Sequence, residues 1–418
     1  MSGNVITAGI DLVSLAVTAR ALGPELFGVL VLVQTYARFV DQFVNFQSWQ
    51  AIIKYGADTL IAKCPGDFRS LVKLGTSLDV IGSLLGTTVA ISSVYWASGW
   101  FEWDDSIVLM AAIYSLTILF SLSATPTAVL RLFDRFKVLA WQRVISATIR
   151  MAALLVAWIA GAGIWEFFIV WMVAQILDFL FLLALGWREL RKQGYGDALF
   201  ASLDRIRSKF PGFWKFVITT NLTGSIKLGV REVDVLIIGA VLGSTATGIY
   251  KVAKQFASIP MRFGDPIEQV VYPEMARLWA EGKVVPFRQM LIRVGALCGL
   301  GGIAIWLGFL LLGQWVLRVT VGPEYISAYK ILLVYMLGIN IYLFGIAFRA
   351  AILSMGHPER SLQIHILSTL IYLGVLALLL GPIELMGAAI AQIAFKSVWF
   401  VTMSMSIMTY LGRKRSGA

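Results

Sequence analysis

The side chains able to do chemistry gather between Lys227 and Glu268. This stretch carries Lys227, Arg231, Glu232, Asp234, Lys251, Lys254, Arg262, Asp265 and Glu268, yet otherwise reads as two apolar helices joined at Leu242–Gly248. A charge at the bilayer centre costs roughly 2.5–3.5 kcal/mol on insertion scales, so such residues persist where they meet water, one another or a polar cargo. Their spacing supports a shared face on each helix. Lys227, Arg231 and Asp234 fall at i, i+4, i+7, and Lys251, Lys254, Ser258, Arg262 and Asp265 continue at helical intervals. This pattern predicts the wall of a transport cavity. Further ionisable residues lie in other apolar runs: Arg38, Asp41, Arg150, Asp178, Arg349 and Lys396.

Long apolar helices must position these groups. The chain has 418 residues, 58% of them hydrophobic and only 14% charged, with a mean hydropathy of +0.79. That composition excludes a soluble globule. The apolar runs last about 20 residues, the length that crosses the hydrocarbon as helix, and are too uniform for alternating barrel strands. An all-α polytopic membrane protein follows, with twelve spans near 3–18, 26–50, 74–98, 107–128, 138–160, 164–186, 213–238, 247–272, 291–315, 328–350, 361–381 and 385–410. Cys64 and Cys298 are too scattered for a disulfide framework, and His357 and His365 lack a metal-ligand cluster.

Lysine and arginine divide the loops. Lys54, Lys63, Arg69 and Lys73 fill one, Arg131, Arg135, Lys137 and Arg143 the next of the same side, and 187–215, 277–293 and the Arg413–Arg415 tail continue the series. The opposite loops hold Arg20, Arg318 and Lys330. The positive-inside rule therefore places both termini and the basic loops in the cytoplasm. The net charge of +11 belongs to this membrane surface, because no basic segment is interleaved with stacking aromatics as nucleic-acid binding requires.

An internal repeat underlies the order. Leu22-Gly23-Pro24-Glu25-Leu26-Phe27-Gly28 has the Leu-Gly-x4-Gly spacing of Leu242 to Gly248, half a chain away. Downstream, Gln34, Arg38, Gln42 and Asn45 match Lys254, Ser258, Arg262 and Asp265. A duplication into two six-helix lobes about a central cavity is expected: residues 1–190, a basic linker at 191–212, and residues 213–418. The first span, about 16 residues before Arg20, reads as short against the usual length. No basic segment precedes it as a signal peptide would require.

The run Arg20-Ala21-Leu22-Gly23-Pro24-Glu25-Leu26-Phe27-Gly28 resembles the turn after the first helix of the bacterial polysaccharide-biosynthesis flippases. These belong to the multidrug/oligosaccharidyl-lipid/polysaccharide exporter superfamily. Further likeness lies at Asp234-Val235-Leu236-Ile237-Ile238-Gly239, Gly248-Ile249-Tyr250-Lys251-Val252-Ala253, Tyr272-Pro273-Glu274 and Gly356-His357-Pro358. The resemblance implies a V-shaped pair of lobes whose cavity opens to either side in turn. It also implies translocation of undecaprenyl-pyrophosphate-linked oligosaccharide units, for O-antigen, exopolysaccharide or capsule, from the cytoplasmic to the periplasmic leaflet of the inner membrane. A polysaccharide polymerase and a chain-length regulator are the implied partners.

Such a cargo has a pyrophosphate, a hydrated glycan and a polyprenyl tail. Arginine can fork onto two phosphate oxygens, and lysine supplies a point charge. Arg38, Arg231, Lys251, Lys254 and Arg262 are the candidates for the pyrophosphate, with Arg150, Lys227, Arg349 and Lys396 as additional cavity cations. For Lys227, Lys251, Arg349, Lys396, Arg38 and Arg262 the competing reading is snorkelling to ordinary lipid phosphates or a purely structural ion pair. Asp41, Asp178, Asp234, Asp265 and Glu268 could couple transport to a proton or sodium gradient. Arg38 with Asp41, and Arg262 with Asp265, could equally form neutralising i, i+3 pairs. Trp141, Trp165, Trp171, Trp306 and Trp315 suit a glycan face or an interfacial belt. Pro260, Pro266 and Pro273 predict kinks in the eighth span.

Three rivals share these features. A lipid II flippase of this superfamily carries two additional helices, and a cation-coupled drug antiporter wants carboxylates in its cavity. A membrane enzyme of polysaccharide assembly needs a large external loop and a catalytic constellation, whereas no Ser/His/Asp, metal-ligand or phosphate-loop pattern occurs. The reading is a transporter without a cofactor.

Overall fold

The computed structural model describes residues 2–44, 48–101, 103–204 and 206–416; the side chains of 2–5, 97, 100, 101, 222–231, 263, 265, 266, 269 and 413–416 lie outside the described residues. Every regular element among them is helical. In hydrocarbon each backbone N–H and C=O must be satisfied within its own segment, and a helix does this. The elements are α1 (Ser2–Val44), α2 (Trp49–Ile61), α3 (Pro65–Phe101), α4 (Asp105–Ser115), α5 (Ala124–Leu132), α6 (Phe136–Ile159) and α7 (Ile164–Lys192). After them come α8 (Ile206–Lys209), α9 (Phe213–Ala257), α10 (Ile259–Ala280), α11 (Val284–Thr320), α12 (Ala328–Phe344), α13 (Phe348–Ser354) and α14 (Pro358–Ser416).

Nine helical stretches among the described residues are long and apolar enough to cross a membrane. Three of the helices are interrupted, so the stretches supply more legs than their number. α1 is broken at Gly23 (φ 72°, ψ 172°) and α9 at Gly243 (φ 81°, ψ −175°). This is the backbone region that essentially glycine alone adopts, and the two residues are those that the repeat aligns. α14 breaks after Pro382, at Ile383 and Glu384. There a Cβ on Gly387 would lie 2.6 Å from the Leu379 carbonyl oxygen. Eight residues of straight helix would separate these positions by about 12 Å, so the chain doubles back and only glycine fits the approach. With α1, α9 and α14 divided, the helices give the twelve legs expected.

Several boundaries depart from the apolar runs. The first leg of α1 continues through Arg20 to Leu22, about 30 Å of helix at 1.5 Å per residue, so it is not short. The expected loop 54–73 is mostly helix: α2 buries Ala51, Ile52, Gly56 and Thr59 and turns Lys54 and Asp58 outward. The expected span 107–128 is split by a 3-10 turn at Leu116–Phe120 before α5 begins. Among the three prolines of the eighth span, the chain breaks at Ser258, beside Pro260, while α10 runs on through Pro266 and Pro273. Helices extend past their hydrocarbon runs because polar side chains continue the helix into the interface at little cost.

Contacts gather the described residues into two compact units, one within 2–22 and 26–244, the other within 23–25 and 245–416. The start of α9 stays with the first unit because Phe213 and Val217 pack with Ala51, Leu71, Leu74 and Leu78. The segment expected as a basic linker packs against α3. Arg69 donates to Asp197 (2.7 Å) and the Gly194 carbonyl (3.0 Å), Lys73 donates to the Ala201 carbonyl (2.7 Å), and Ala198 is buried with Phe68, Val72 and Leu190. The second unit is built round Met275, Phe287, Ala351, Trp399 and Met403.

Candidate functional site

In the first unit the second leg of α1 carries Arg38 among buried apolar neighbours, Val33, Tyr36, Ala37 and Val40. Its side chain is 50% exposed, and its ion pair is with Glu232 of α9 at 4.0 Å. The i, i+3 pair with Asp41 is not formed; Asp41 accepts from Ser121 Oγ at 3.3 Å instead. With Glu232 its one ion-pair partner among the described residues, a guanidinium with five donors keeps most of its fork available to an anion.

Arg150 is used differently. It donates through Nη2 to Asp11 of α1 and lies 4.8 Å over the Trp171 ring, whose Nε1–H donates to Thr18 Oγ1 at 3.2 Å. Asp11, Thr18, Arg150 and Trp171 thus bring α1, α6 and α7 together through a charge-assisted hydrogen bond and a cation–π contact. The charge of Arg150 is answered within the protein, although among the described residues its buried Nε–H has no partner.

The carboxylates separate in the same way. Asp178 accepts from Gln142 Nε2 at 2.6 Å, a tie between α6 and α7. Asp234 is buried and accepts the Val235 N–H at 2.8 Å. The side chains of Lys227 and Arg231 lie outside the described residues, as does Asn45.

In the second unit the polar stripe runs through the break at Ser258, which leaves Lys251 and Lys254 on α9 and Arg262 on α10, all half-buried. Lys254 Nζ is 5.8 Å from the Tyr250 ring centroid. Glu268 meets Arg349 of α13 at 3.2 Å, with 16% and 50% of the two side chains exposed. Lys396 sits 4.3 Å over Tyr342 and 4.8 Å over Phe395. The side chain of Asp265 lies outside the described residues. Among the described residues no group of three His, Cys, Asp or Glu could hold a metal ion.

Two acids that the sequence reading passed over are engaged: Asp11, and Asp79 of α3, which is buried and held by Ser48 and Thr125. Each is a single carboxylate in an otherwise apolar run, and that alone was a signal.

A family model described as polysaccharide biosynthesis protein matches residues 1–279. The chain belongs to this polysaccharide biosynthesis family. It is 30% identical over 338 residues to the "Inner membrane protein YghQ" of Escherichia coli (strain K12), covering 79% of this chain and 93% of that one. Among solved structures, it is similar to an inward-facing multidrug resistance MATE family transporter of the MOP superfamily. The TM-score is 0.76 at 12% identity, over 98% of this chain and 96% of the transporter. It is also similar to the lipid II flippase MurJ in an inward closed conformation. There the TM-score is 0.73 at 13% identity, over 99% of this chain and 88% of the flippase. These likenesses establish the fold of the MOP superfamily for this family member. The structures are of transporters rather than of enzymes, and the chain is a multi-pass membrane protein with an inner-membrane relative.

Proposed function

We propose that the protein is a flippase that carries a polyprenyl-pyrophosphate-linked oligosaccharide from the cytoplasmic to the periplasmic leaflet of the bacterial inner membrane by alternating access. The carrying observation is Arg38: a guanidinium half exposed on an apolar leg, with one carboxylate at 4.0 Å. A pyrophosphate would replace that distant partner with a bidentate, charge-assisted one. Arg231, Lys251, Lys254 and Arg262 are proposed to serve the same anion on the repeat-related helices, with Lys227 and Lys396 as further cations. Arg150 and Arg349, each paired with a carboxylate, are assigned to holding helices together. In this reading the two six-helix halves move as lobes, both termini are cytoplasmic, and the glycan serves a surface polysaccharide. A cationic drug would meet like charge at Arg38.

The test is Arg38→Ala in cells lacking the chromosomal copy, read as periplasmic labelling of the lipid-linked glycan with a membrane-impermeant reagent. Loss of charge-assisted hydrogen bonds should lower flipping about tenfold to a hundredfold at unchanged protein level. Arg38→Lys should keep part of the rate, because charge remains while the fork is lost. Full labelling with Arg38→Ala would remove Arg38 from the site. Full labelling with no copy of the gene at all would reject the flippase reading.

A further inference from the structure

The buried carboxylate of Asp79 takes no part in the proposed anion site. Asp79 is 1% exposed, near the middle of α3, within the candidate span Pro65–Trp96. Its neighbours are the starts of two other helices, both in the same compact unit. Ser48, the residue that begins α2, donates its hydroxyl to Asp79 Oδ1 at 3.3 Å and does not cap its own helix. Thr125, in the first turn of α5, donates its backbone N–H to Asp79 Oδ2 at 2.8 Å, in place of a side-chain cap from Ser123. One carboxylate thus caps one helix and anchors the start of another, at the positive ends of both.

No cation faces it. The charged groups of the packed elements are turned elsewhere: Arg131 of α5 lies 4.3 Å over Trp49, Lys54 of α2 4.7 Å over Phe216, and Lys73 of α3 reaches the Ala201 carbonyl. On α7, Glu189 takes Arg135 at 2.9 Å and Asp178 takes Gln142, while Arg188, Arg191 and Lys192 are exposed with Asp58 of α2. Arg69 of α3 is held by Asp197.

A cavity of about 300 Å³ opens beside Asp79, lined by Thr76, Leu122, Thr125, Trp187 and the exposed Leu199. On its lining, Thr125 is 4% exposed and carries its hydroxyl beside the Asp79 carboxylate. A carboxylate can only accept, whereas a carboxylic acid must also place a proton. The Thr125 hydroxyl, beside Asp79, can donate to the charged form or, once rotated, accept from the neutral one. The Thr125 backbone N–H and the Ser48 hydroxyl suit the ionised form, and the Thr125 hydroxyl can serve either form.

We infer that Asp79 is a proton-binding site at which one proton from water converts the carboxylate into an acid that donates to Thr125 Oγ1, loosening the starts of α2 and α5. The proton adds to a carboxylate oxygen and no other bond is made or broken. Neutralising the carboxylate weakens its capping hydrogen bonds, which are strongest when charge-assisted. Because α5 follows the 3-10 turn Leu116–Phe120, the proton acts where a span already bends. On the transport reading this is where a proton gradient would enter; the site itself does not depend on that reading.

The test is infrared difference spectroscopy of the full-length protein in lipid nanodiscs, comparing alkaline with acidic buffer. A neutral-carboxyl carbonyl band should appear on acidification in the wild type and in Asp178→Asn, and be absent from Asp79→Asn. In Ser48→Ala, which loses a donor to the charged form, the band should reach half height at about tenfold lower proton concentration. Should Asp79→Asn not fold, the Ser48→Ala shift decides. A band that persists in Asp79→Asn, an unmoved midpoint in Ser48→Ala, or a response to sodium at constant pH in place of protons would overturn the assignment. Since the readout is the protein's own carboxyl, a failed glycan-flipping assay leaves this result intact, and the converse also holds.

Discussion

Arg38 and Arg150 put the same side chain to two uses inside apolar legs. Arg150 has a carboxylate, an indole face and an 18% exposed side chain; Arg38 has one carboxylate at 4.0 Å and half its surface open. The difference predicts opposite phenotypes. Arg150→Gln should destabilise the protein by about 1–2 kcal/mol, less than a fully buried pair because Asp11 is 40% exposed. Adding Asp11→Asn should restore much of that loss, since no uncompensated charge remains; thermal unfolding in detergent measures both. Arg38→Ala should leave the unfolding temperature unchanged and reduce flipping alone. At the same scale, Arg349 and Glu268 form a tie between α13 and α10, so Arg349→Ala should lower stability before it lowers transport.

The elements are organised by their interruptions. Gly23 and Gly243 share a backbone conformation closed to other residues, and each lies between two legs. A Cβ on Gly243 would meet nothing within 4 Å, so Gly243→Ala isolates backbone strain from packing. It should cost roughly 1–3 kcal/mol, read from denaturant unfolding in micelles. Gly387→Ala differs in kind, because the new methyl would press on the Leu379 backbone carbonyl at 2.6 Å. The reversal within α14 would have to open, and loss of folded protein on size exclusion should exceed that for Gly243→Ala. The break at Ser258 stands between Lys254 and Arg262, and the 3-10 turn Leu116–Phe120 stands before the helix that Asp79 caps. Breaks fall beside the polar groups because backbone freed from helical pairing needs polar partners.

For the whole molecule, the basic loops are a statement about orientation. Cys64, exposed in the turn between α2 and α3, sits on the side expected to be cytoplasmic, while Cys298 is buried. In a Cys298→Ser background, a membrane-impermeant maleimide should label Cys64 in inverted vesicles and fail to do so in intact spheroplasts. The reverse pattern would invert the topology.

Composition and the periodic apolar runs determined, without coordinates, that the chain is all-helical and crosses the membrane many times, because hydrocarbon admits few other backbones. The repeated Leu-Gly-x4-Gly determined where two legs part, because the conformation at Gly23 and Gly243 selects glycine by its missing Cβ. The partners of the intramembrane charges were not legible. Local spacing offered Asp41 to Arg38, yet Glu232 holds it from α9; nothing near Arg150 in sequence announces Asp11, nor does anything near Asp79 announce Ser48 and Thr125. The expected linker is likewise packed down by Arg69, Lys73 and Phe213. Each of these contacts joins residues far apart along the chain. A one-dimensional pattern records which face of a helix is polar, whereas which helix that face meets is decided only when the helices pack.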